Sequence, residues 1–187
     1  VTLLAQFLPR RSVFEVTGLP NWRWWRQFTA GAAIGTGLWA ITTLTLLASG
    51  ATRIGISADY HLISAGLTAL VCAAVLEELL FRGFVFQRLL DGVGPRAALL
   101  ISSAHFLLVH MNNPGMQGAS RWMAMVNIFI ASLAFGLAYL RTGTLALPIG
   151  MHVFANLVQG PVLGFAVSGR VTQISWMWLA TAYAWTS

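Results

Sequence analysis

Two adjacent carboxylates, Glu77 and Glu78, and an arginine, Arg82, stand inside the apolar run AAVLEELLFRGF from Ala73 to Phe84. Ionisable groups at membrane depth cost about 2.5–3.5 kcal/mol each on insertion scales, so they persist where they have a partner or a task. On a helix Glu78 and Arg82 are i,i+4 and can pair, while Glu77 points about 100° away. One guanidinium against two carboxylates leaves a negative charge that something must stabilise, or keeps one carboxyl protonated. Downstream, SSAHFLLVH carries His105 and ends on His110, and LPIGMHVFANL sets His152 and Asn156 four residues apart on one helical face, with Pro148 a turn earlier. Such side chains inside apolar helices usually face a bundle interior. A lone pair of this kind reads as a structural ion pair, and a lone histidine as a packing residue. Taken together, these residues can supply a general base, an imidazole to share its water, and donors for a developing oxyanion. Hydrolysis of a carbonyl compound is the natural reaction class.

Several other chemistries are missing. There is no HExxH helix and no Gly-x-Ser-x-Gly elbow. The two aspartates, Asp59 and Asp91, fall outside the apolar runs, which argues against an aspartyl dyad. Cys72 is the single cysteine, so neither a disulfide framework nor a thiolate metal cluster is available, and it reads as a packing residue. Ser102, Ser103 and Ser132 also read as small helix-packing residues rather than nucleophiles.

The elements that must hold these groups belong to a membrane. Of 187 residues, 57% are hydrophobic and 9% charged, and the mean hydropathy is +0.73. A soluble domain carries roughly 25% charged residues, so lipid is the natural solvent for this surface. The 11 basic residues are all arginine and give a net charge of +6, but they are scattered between apolar blocks, which speaks for topology signals and lipid contacts and against nucleic acid. Residues 1–27 mix Arg10, Arg11, Arg23 and Arg26 with Trp22, Trp24 and Trp25, the composition of an interfacial belt. Apolar helices are then expected at about 28–48, 61–90, 97–110, 121–140 and 145–158, with 171–187 as a sixth or part of one. The fold class is all-α, a polytopic bundle of about five to six membrane helices over residues 28–187. DGVGPR, residues 91–96, reads as a turn and 49–60 as a polar link. Arginine asymmetry places the N-terminus in the cytoplasm, and the whole in a bacterial inner membrane.

Three stretches carry a family resemblance. EELLFRG, FLLVH (Phe106 to His110) and HVFAN (His152 to Asn156) resemble, in order, the EExxxR, FxxxH and HxxxN motifs of the CAAX prenyl endopeptidase and bacteriocin-processing family (CPBP, or Abi) of intramembrane proteases. The likeness covers about residues 70–164 and includes the stretch FGLAYLRTGTLALPIGMH. It implies a membrane-embedded endopeptidase acting on a peptide or protein, which can be lipid-modified. By the same resemblance Glu77 and His110 activate water, His152 and Asn156 stabilise the oxyanion, and Glu78 and Arg82 order the site. His105 matches no motif and stays a packing residue. The resemblance leaves open a Zn²⁺ held by Glu77, His110 and His152; a metal-free glutamate mechanism is the expectation here, because Arg82 already offsets one carboxylate. Alternatives from other classes are a non-enzymatic scaffold or bacteriocin self-immunity protein, and a small proton-coupled transporter, although no repeated halves with broken helices are present.

Overall fold

The computed structural model describes residues 12–56, 63–114, 116, 118, 121–168 and 177–181. The first described element is a single turn, α1 (Val13–Thr17), whose amino end is capped by Ser12: the hydroxyl accepts from the Glu15 N–H at 3.2 Å. The long helix α2 (Trp22–Ala48) begins six residues before the apolar run because Asn21 is a better cap than anything downstream. Its side-chain oxygen accepts from the Trp24 N–H at 3.0 Å. Helix α3 (Ile63–Glu78) passes without interruption into a π-helical turn, Leu79–Val85, and on into α4 (Phe86–His110). The expected turn at 91–96 is a sharp break inside α4, where Gly94 takes φ 77° ahead of Pro95. Glycine enters this region at little cost, and the proline that follows disfavours α geometry in the residue before it. Two more helices follow, α5 (Arg121–Thr142) and α6 (Ala146–Leu157), and α6 ends in a second π turn, Val158–Val162.

Two expectations change. The polar link contains a strand, β1 (Thr52–Ile56), which pairs antiparallel with β2 (Met177–Thr181), Ile54 opposite Leu179. The described part of the tail is therefore a strand and not a sixth helix. TRIGI and MWLAT are short and rich in β-branched or aromatic residues, which favours pairing over a five-residue helix. Residues 169–176 and 182–187 of that tail lie outside the described residues. The second change is in length. Among the described residues α2, at 27 residues, and α5, at 22, are long and apolar enough to cross a membrane. The α3 and α6 helices have 16 and 12 residues, short of the ~20 that a ~30 Å hydrocarbon layer requires, although α3 is prolonged by the π turn.

The core lies where α6 meets its neighbours. Ala74 of α3 packs with Leu145, Ile149 and Val153, flanked by Phe28 and Val71. A second cluster joins Phe135 and Ala138 of α5 to Met151 of α6. On the remaining side α2 approaches α6 backbone to backbone. A Cβ at Gly31 or Gly35 would collide with the carbonyl oxygens of Leu147 or Met151, and one at Gly150 with that of Phe28. Without a hydrophobic drive between helices in lipid, small residues that permit such close approach are what hold helices together.

Candidate active site

The break at Gly94 explains how distant motifs meet. Glu77 lies 17 residues before Gly94 and His110 lies 16 after it, so a helix folded back at that glycine returns His110 to the level of Glu77. The rings of Phe81 and Phe106 meet edge to face on the way, with centroids 4.8 Å apart. Helix α6 packs against α3 at the same height and brings in His152 from the other side.

Glu78 is fully buried and takes two partners on one oxygen. Its Oε1 accepts from Arg82 Nη1 at 3.0 Å, one helical turn on, and lies 2.8 Å from His152 Nδ1. Its Oε2 is buried with no hydrogen-bond partner among the described residues. With His152 Nδ1 engaged on Glu78 Oε1, its Nε2 turns to Glu77 Oε2 at 3.6 Å. His110 is arranged the same way. Its Nδ1–H donates to the Phe106 carbonyl at 2.7 Å, and its Nε2 faces Glu77 Oε1 at 3.8 Å. Glu77 thus stands between two imidazoles whose far nitrogens are both anchored. Separations of 3.6 and 3.8 Å exceed a direct hydrogen bond and leave both groups able to reach one water seated beside them, off the line that joins them. The Glu77 side chain keeps 31% of its exposure, whereas those of His110 and His152 keep 6% and 4%.

Arg82 is enclosed by aromatic rings. Its guanidinium carbon lies 4.7 Å from the Phe106 centroid and 5.1 Å from that of Phe135, both cation–π distances. Its other arm, Nη2, donates to Ser132 twice, at 2.7 Å to Oγ and 3.1 Å to the carbonyl. Sequence reasoning assigned Ser132 to packing, and this is the residue it missed. A small hydroxyl in an apolar helix looks like a spacer; the signal was its place one turn before Phe135. That ring stacks on His152, with centroids 4.7 Å apart and planes 18° off parallel.

Asn156 stands apart from this cluster. It lines a largely apolar cavity of about 510 Å³ together with His152, Phe106 and Phe135. Gly35, Leu38 and Trp39 of α2 and Asn127 and Ala131 of α5 are among the residues that line it from the other helices. His105 is exposed and turns its ring to Phe81 at 5.3 Å, and Cys72 is exposed on α3. Neither touches the cluster. Ser102 and Ser103 are buried on α4.

The donor types around Glu77 suit zinc chemically, since each imidazole is anchored through its far nitrogen as metal-ligating histidines are. Among the described residues, however, no three His, Cys, Asp or Glu side chains are grouped so as to hold an ion. The arrangement has a ready use without one: a carboxylate with access to water, two imidazole nitrogens beside it, and a buried ion pair behind.

Comparison with known proteins agrees with the motifs. No curated protein and no solved structure gives a significant match. Residues 59–158, which hold Glu77, Arg82, His110, His152 and Asn156, match the family described as Type II CAAX prenyl endopeptidase Rce1-like. A match over more than half of the chain places this protein in the Rce1-like family of type II CAAX prenyl endopeptidases, a family of membrane proteases.

Proposed function

We propose that the chain is an intramembrane endopeptidase that hydrolyses a peptide bond with a water activated by Glu77. The observation that carries this reading is the pair of distances from Glu77 to His110 Nε2 and His152 Nε2, 3.8 and 3.6 Å. A water seated beside that pair donates one hydrogen to Glu77 and one to an imidazole, leaving a lone pair for the scissile carbonyl. As attack proceeds, Glu77 takes the proton. His152 receives it at Nε2, and the Glu78 carboxylate at Nδ1 stabilises the resulting imidazolium. In that form His152 faces the oxyanion, with the Asn156 carboxamide one turn along the same helix as a second donor. Collapse of the tetrahedral intermediate breaks the C–N bond, and the proton passes from His152 to the leaving amine. Glu78 and Arg82 touch no substrate in this scheme and keep His152 in register. A resident zinc would be held by Glu77, His110 and His152 and would supply Lewis acidity; no step here is routed through it.

The membrane setting follows from the family together with α2 and α5. We further infer a multi-pass protein of the bacterial inner membrane with its N-terminus in the cytoplasm, supported by the arginines that precede α2 and occupy its first turns. The substrate is a peptide segment laid along the cavity of α2, α5 and α6, with or without a lipid chain. The test is cleavage of an internally quenched farnesylated CAAX-type peptide by the purified protein in detergent. Turnover in the wild type and none in Glu77→Gln supports the reading. Turnover by Glu77→Gln near that of the wild type overturns the general base.

A further inference from the structure

The catalytic motifs lie on α3, the π turn, α4 and α6, and α5 carries none of them. Yet α5 grips the centre of the ion-pair chain. Ser132 is 1% exposed, and its Oγ is the closest partner of Arg82 at 2.7 Å, nearer than Glu78 at 3.0 Å. The guanidinium is therefore fastened at both ends of its fork, Nη1 on Glu78 and Nη2 on Ser132, between the rings of Phe106 and Phe135. A planar fork has one rotation that serves both arms. Fixing Nη2 on Ser132 fixes Nη1 on Glu78 Oε1, and that oxygen also takes His152 Nδ1 at 2.8 Å. Three residues further along α5, Phe135 backs the same imidazole.

We propose that Ser132 is a positioning residue: through Arg82 and Glu78 it holds the proton of His152 on Nδ1 and so keeps Nε2 aimed at Glu77. Ser132 touches no reacting atom and acts only along the chain Ser132–Arg82–Glu78–His152. Its contribution to turnover rests on the peptidase reading above, but its effect on His152 does not.

The test uses two readouts. Ser132→Cys keeps the size of the side chain and removes a strong acceptor, and Ser132→Ala is the fallback if the thiol variant fails to fold. With ¹⁵N-histidine label in bicelles the chain gives signals from four histidines, and His152 is assigned by its loss in His152→Asn. In the wild type its Nδ1 should resonate in the protonated range. In Ser132→Cys it should move toward the unprotonated range as the tautomer is released. Arg82→Lys, which keeps the charge and loses the fork, should produce the same movement, and adding Ser132→Cys to it should produce no more, because both changes cut one chain. In the peptide assay Ser132→Cys should lower kcat by on the order of tenfold, the worth of a hydrogen bond to a charged group, with KM unchanged. An unmoved Nδ1 signal overturns the proposal, as does an unaltered kcat in active protein, or an effect that adds fully to that of Arg82→Lys. A moved signal in a wild type that cleaves nothing sustains the Ser132 chain and removes the peptidase reading instead.

Discussion

Glu77 and Glu78 are neighbours in sequence with opposite surroundings, and substitution should separate the roles proposed for them. Glu77 is partly exposed and, among the described residues, its contacts to the two imidazoles are no closer than 3.6 Å, so Glu77→Gln keeps the packing and removes the proposed base. Activity should fall by about 10²–10⁴-fold, the usual range for a lost general base, with the melting temperature in detergent almost unmoved. Glu78 is completely buried against Arg82 and His152. Its loss strands a cation in the core, and breaking one side of a buried pair costs about 3–5 kcal/mol. Glu78→Gln should therefore lower both activity and melting temperature, measured side by side on the two variants. Metal dependence is tested at the same residues. With Arg82 offsetting one carboxylate, dialysis against a strong chelator should leave peptidase activity intact, and elemental analysis should find well under one zinc per chain. Stoichiometric zinc, with activity lost on chelation and restored by metal, would make His110 and His152 ligands. These residues were legible in the sequence because charge and imidazole are rare in apolar runs. Ser132 was not, because a hydroxyl announces itself only through the partner it meets across 50 residues of chain.

Among the elements, the helical stretches were readable from length and apolarity, and the turn at Gly94 from its glycine and proline. The π turn was not. An extra residue inserted into a helix leaves no compositional trace, yet such bulges gather at functional sites, and this one spans Leu79–Val85 with Arg82 and Gly83 buried inside it. The β1–β2 ribbon was also hidden, since five-residue strands are fixed by the partner they find and not by their own pattern. The crossing of α2 and α6 offers a sharp test at this scale. A Cβ at Gly35 would strike the Met151 backbone, whereas one at Gly37, two residues on, meets nothing within 4 Å. Gly35→Leu should destabilise by about 1–3 kcal/mol or more through overpacking, seen as a lower melting temperature in detergent. Gly37→Ala should be neutral or stabilising by up to about 1 kcal/mol, the helix-propensity difference.

At the scale of the molecule, the family match begins at residue 59 and leaves α1, α2 and β1 outside it, although α2 walls the cavity that holds Asn156. Orientation is testable through the exposed Arg23 at the start of that helix. In a Cys72→Ser background, Arg23→Cys should react with a membrane-impermeant thiol reagent only from the cytoplasmic side. Labelling from the opposite face would invert the topology. The glycine crossing carries the matter further. Because α2 is docked on α6 by direct backbone contact at Gly31, Gly35 and Gly150, its place does not depend on the short connection, residues 49–51, between α2 and β1. In assembly terms the protein is then a two-piece object with a dispensable tether. Residues 1–50 and 51–187, made as separate polypeptides in one cell, should find each other in the bilayer and co-purify as an active pair, and Gly150→Leu in the larger piece alone should be enough to keep them apart.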